Sequence, residues 1–92
     1  MTNDLDTLIV ADAARQILES RAAQSTMESL EKDHIEAALS IDPLAHTRQT
    51  YLEAVHDELM AIKALREFWS GLQSLHHSGQ MAQKRMDEDE DG

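Results

Sequence analysis

Ile41-Asp42-Pro43 divides this chain into two arms of nearly equal length. Asp is a good N-cap, and Pro suits the first position of a helix because its missing N–H would be unpaired there anyway. Pro43 also disfavours helical backbone at Asp42. One helix therefore stops here and another starts. The reading is an all-α fold: an antiparallel hairpin of two long helices, spanning about 4–40 and 43–78.

Working back from the turn, residues 4–40 contain neither Pro nor Gly. Asn3, or Thr2, can cap this arm, with Asp4 and Asp6 favourable in its first turn. Leu5, Ile9, Ala13, Ile17, Ala23, Met27, Leu30, Ala38 and Ile41 recur at helical spacing. Gln16, Ser20 and Gln24 thin the stripe in the middle, and Ser20 is a candidate N-cap. The expectation is one long helix, with a candidate break at Ser20.

Working forward, Leu44, Tyr51, Leu52, Val55, Leu59, Ile62, Leu65, Trp69 and Leu72 form a stronger stripe. Ser78-Gly79 is its expected end, since Gly suits a left-handed C-terminal position. Gly71 lies inside the arm and marks either close packing or early fraying. Folding at Asp42 pairs residues whose numbers sum to about 84, by helix-rise arithmetic. Met27 then meets Val55, Ile9 meets Leu75, and small residues on the first arm meet large ones on the second. Residues 1–80 form the domain. Residues 81–92, with the run Asp87 to Asp91, read as an acidic disordered tail.

The chain has 92 residues, 18 acidic and 8 basic, for a net charge of −10. Without the run Asp87 to Asp91, 13 acids face 8 bases. That sign argues against a nucleic-acid or anionic-membrane surface, which needs clustered Lys and Arg. There is no Cys, so neither disulfides nor thiolate metal sites are available. No apolar run approaches membrane-spanning length, and the acidic N-terminus lacks the features of a secretion signal. A cytoplasmic protein is expected. One two-helix hairpin has almost no interior, so self-association or a protein partner must cover its stripes.

Two constellations could carry chemistry. Glu31-Lys-Asp-His34 and Glu53-Ala-Val-His56 both read Glu-x-x-His, the spacing of ferritin-like di-iron proteins, which add further Glu from other helices. Hairpin pairing would bring Glu31 and Glu53 level. The helical wheel opposes convergence, because Glu53 points about 150° from the centre of its arm's stripe. The alternative is a His34 hydrogen-bonded to a neighbour and a solvated Glu53. Glu28-x-x-Glu31 with Glu53 and Asp57 resembles the magnesium motif of all-helical nucleotide pyrophosphohydrolases, but His56 stands where their second pair needs Asp. No catalytic residue, metal site or cofactor is assigned, and Glu31, His34, Glu53 and His56 remain the metal candidates. The expected partner-binding face is Leu59, Ile62, Leu65, Phe68, Trp69 and Leu72, with one of the adjacent Phe68 and Trp69 pointing to a partner.

Ala11-x-Ala-Ala-Arg15-x-Ile-Leu18, Glu28-x-Leu-Glu31-x-x-x-Ile35, Asp42, Arg48, Leu52, Leu59, Leu65 and Gly79-x-Met-Ala82 carry a resemblance. In this order they resemble small all-helical accessory proteins of tailed-phage and prophage genomes, encoded near packaging and head genes. Similar proteins often place Asn-Pro where Ser20-Arg21 stands here. The resemblance implies a non-enzymatic role in morphogenesis or host takeover, in the host cytoplasm or on the virion. The expected partners are a second copy, as a dimer, or a larger phage or host protein. The alternatives are an acidic nucleic-acid mimic that inhibits a host or defence protein, and a metal-carboxylate protein.

Overall fold

The computed structural model describes residues 3–91 and is all-helical among them. Thr2, the other candidate cap, lies outside the described residues, as does Gly92 at the end of the expected tail. Helix α1 spans Asp4–Glu19, α2 Arg21–Ser40 and α3 Arg48–Asp91, with a 3-10 turn at Pro43–Ala45.

Asn3 caps α1, its Oδ1 accepting from the Asp6 N–H at 2.8 Å. The first arm is not one helix. Ser20 is extended at φ −71° and ψ 119°, and its Oγ accepts from the Ala23 N–H. The Ser20 side chain thus opens α2, while its backbone N–H closes α1 by donating to the Ile17 carbonyl at 3.1 Å. Gln24 reaches back, its Nε2 donating to the Leu18 carbonyl at 2.6 Å. That satisfies one acceptor which the end of a helix leaves without a partner.

The reversal is longer than the sequence implied. Asp42 caps only the 3-10 turn, its Oδ1 accepting from the Leu44 N–H at 2.9 Å. His46 is extended, and Thr47 starts α3: its hydroxyl accepts from the Thr50 N–H and its carbonyl from the Tyr51 N–H. The second arm therefore begins at Arg48, not Pro43. Nor does it end at Ser78-Gly79. α3 runs 44 residues to Asp91, and Gly79 keeps an ordinary negative φ. Residues 81–91, expected as a disordered tail, continue the helix. Ala82 is fully buried, and Arg85 Nη2 pairs with Asp4 Oδ1 at 2.9 Å. Packing against α1 thus extends well past the expected stop.

Contacts between the arms run in opposite numerical order. Asp4 meets Arg85, Ala11 meets Gly79, Glu31 meets Arg66 and His34 meets Glu58. These pairs exceed the expected sum of 84, because the turn is centred near Leu44–Ala45. The crossing of α1 and α3 is small on small, not small on large. A methyl built on Gly79 would overlap Ala11 Cβ. Gly71 meets nothing within 4 Å, so it marks neither a tight crossing nor a helix end. Ile9, expected against Leu75, is 62% exposed.

The molecule measures 69 × 28 × 14 Å, a slab about one helix thick and two wide. Its radius of gyration is 19.6 Å, against about 12 Å for a compact chain of this length.

Candidate functional site

A helix turns about 100° per residue, so neighbouring side chains sort onto the two broad sides of the slab. On α3, Leu65 faces the first arm. Arg66 and Gln73 lie about 80–100° to one side of it, Phe68 and Leu75 about 60–80° to the other. The two sides differ in chemistry.

The first side is polar. Where the first arm breaks at Ser20, an open groove of about 680 Å³ lies against α3. Leu18, Met27, Leu65 and Trp69 line it with Glu28 and Arg66. Arg66 donates through Nε, at 3.2 Å, and Nη2 to Glu31 Oε1. This hydrogen bond holds the Glu31 carboxyl below its ordinary range. Along α1, Arg15 bridges Asp12 and Glu19 at 2.7 and 2.8 Å. Hydrogen bonding to Arg15 likewise lowers the Asp12 carboxyl.

The metal candidates do not meet. Glu31 is held by Arg66, and His34 Nδ1 lies 2.6 Å from Glu58 Oε2. Glu53 is exposed and accepts from Gln49 Nε2 at 3.0 Å. His56 is exposed, 3.7 Å from its neighbour Asp57. Glu31 and Glu53 are not level, since the longer turn sets Glu31 against Arg66. Among the described residues, no three acidic or imidazole side chains converge where a metal ion could sit.

The expected partner face is divided. Ile62 and Leu72 are each only 7% exposed, packed within the chain. Leu65 and Trp69 are half-buried in the polar-side groove. Leu59 and Phe68 stand exposed. Of the adjacent aromatics, Phe68 therefore points away from the chain.

The second side is apolar, and the sequence reading did not isolate it. Ala61, Ala64, Phe68, Gly71 and Leu75 follow one another at steps of three and four along α3. All but the half-buried Ala61 are exposed. By the same rotation, Val10 and Ile17 of α1 and Leu30 of α2 flank this line. All three are exposed. Its signal lies in the three-and-four spacing, beside the stronger inner stripe of the same helix.

The described residues bury five hydrophobic side chains, three of them Ala, and expose fourteen large apolar ones. No described helix is long and apolar enough to cross a membrane. No family model, curated protein or solved structure matches the chain.

Proposed function

We propose that this chain is a non-enzymatic accessory protein. It works as an antiparallel helical hairpin whose exposed apolar face docks on another protein surface. One observation carries the reading: the surface area. The chain exposes 7060 Å², whereas a compact monomer of 10.3 kDa exposes about 5,400 Å². The surplus of about 1,700 Å² exceeds the roughly 800 Å² that a standard interface takes from each partner. Much of it is apolar, and an exposed apolar surface of this extent marks an interaction site.

The acids and imidazoles support a scaffolding role. Glu31, His34 and Asp4 each join one helix to another. A setting in phage morphogenesis or host takeover is supported by the resemblance of Ala11-x-Ala-Ala-Arg15 and Gly79-x-Met-Ala82 to phage accessory proteins.

The test needs a partner captured from infected or lysogenic cells. Phe68→Ala should weaken capture more than truncation after Arg85, because buried aromatics dominate such interfaces. If truncation abolishes capture while Phe68→Ala binds normally, the acidic-mimic reading replaces this one. Binding should then also fall steeply with salt.

A further inference from the structure

We infer that the apolar side of the slab is the interface with a second copy of this chain, packed with the two α3 helices antiparallel and Phe68 of each seated on Gly71 of the other. The inference rests on the docking reading above and names its occupant.

Three observations select a second copy. First, the line is self-complementary. The midpoint of α3 falls between Trp69 and Ser70. A twofold axis through that level, lying in the face and perpendicular to the rod, pairs residues whose numbers sum to 139. Phe68 then faces Gly71, and Leu75 faces Ala64: large meets small at both levels. Gly71 offers room, since a Cβ there meets nothing within 4 Å in one chain. A twofold interface requires this kind of self-matching, and alternating large and small residues across facing positions lets layers interdigitate.

Second, the same axis overlaps both rods along their full 69 Å. It brings the first arms together as well, adding Val10, Ile17 and Leu30. Area on this scale is what the surplus surface needs covered, and the product has four-helix-bundle character.

Third, charge permits it. The five residues of the line from Ala61 to Leu75 are uncharged, and Glu67 at its outer edge is paired with Lys63 at 3.8 Å. A net charge of −10 per chain would repel a parallel partner whose acidic ends coincide. The antiparallel arrangement sends the runs Asp87 to Asp91 to opposite ends, roughly 55–60 Å apart and many times the screening length of about 8 Å. Each run comes level with the partner's α3 N-terminus, where the helix dipole favours negative charge.

The test is sedimentation equilibrium on the full chain. Wild type should dimerise by high micromolar concentration. Gly71→Leu should raise the dimer dissociation constant by about tenfold or more, because overpacking on this scale disrupts a packed contact. The lone chain has space at this position, so helicity by circular dichroism should hold. Phe68→Gly should also weaken the dimer. The double exchange Phe68→Gly with Gly71→Phe should restore it, because the large residue again faces the small one. A monomeric wild type, a dimer indifferent to Gly71→Leu, or an exchange that fails to restore association overturns the assignment. A chain that fails here, yet captures a partner through Phe68, leaves the docking reading standing. A capture indifferent to every apolar substitution removes that reading instead.

Discussion

Two glycines in one helix should respond unequally to the same substitution. Gly79 sits where α1 crosses α3, and a methyl there would overlap Ala11 Cβ. Carbon atoms pack at about 3.5–4.0 Å, so the helices would have to part by roughly 1–2 Å. Overpacking of this kind costs about 1–3 kcal/mol. Replacing a mid-helix Gly by Ala gains about 1 kcal/mol. Gly79→Ala should thus range from break-even to about 2 kcal/mol destabilising. Gly71 meets nothing within 4 Å, so Gly71→Ala should stabilise by about 1 kcal/mol. A methyl at 71 is also tolerated in the proposed dimer, where Ala64 already faces Leu75. Comparing the two variants cancels the propensity gain and leaves the clash, about 1–3 kcal/mol. For a chain of this size, each kcal/mol shifts the melting temperature by about 4–8 °C. Thermal melts by circular dichroism at matched concentration should place Gly79→Ala at least about 4 °C below Gly71→Ala. If both variants rise equally, the Ala11–Gly79 crossing does not exist in solution and α1 packs elsewhere.

Thr47→Ala should cost about 1 kcal/mol through loss of the α3 cap, and Asp42→Ala clearly less, since it caps only a 3-10 turn; the reverse order in denaturant melts would return the start of the second arm to Pro43. Ser20→Ala should likewise cost about 1 kcal/mol, unless the first arm straightens into one helix, which a rise in helical circular dichroism would reveal. Arg66 depresses the Glu31 carboxyl, so that pair stabilises the fold above the ordinary Glu pKa of about 4.3 and is lost as pH falls through the lower folded value. The melting-temperature gap between wild type and Glu31→Gln should therefore be constant near neutrality and close in acid; a gap independent of pH would falsify the ion pair. Elemental analysis should find no stoichiometric iron, zinc or manganese, and a chelator should leave the melt unchanged. About one metal per chain, lost in His34→Ala, would overturn the structural role given to the His34–Glu58 contact.

Much of the fold was legible from short-range signals. The absence of Pro and Gly from residues 4–40, the cap at Asn3 and the Asp42-Pro43 pair determined two helical arms and a reversal between them. The apolar spacing of Ile62, Leu65, Trp69 and Leu72 marked a stripe on α3, expected as a partner-binding face, of which Ile62 and Leu72 are buried. Each of these depends on residues within a turn or two of one another, so sequence suffices.

What only the tertiary structure decided was everything set by register between distant segments. Ser20 is compatible with a helix interior and with a cap. It caps here, in an arm that follows α3 in two straight pieces. Gly79 reads locally as a helix end, yet α3 continues through it, and Ala11 lies against it with no room for a Cβ. Starting α3 at Thr47 instead of Asp42 moves every cross-arm pair. Glu31 thereby goes to Arg66 rather than level with Glu53, and Ile9 and Leu75, expected against each other, both stand exposed. A few residues in the turn shift the partner of every side chain beyond it, and no local pattern reports that shift.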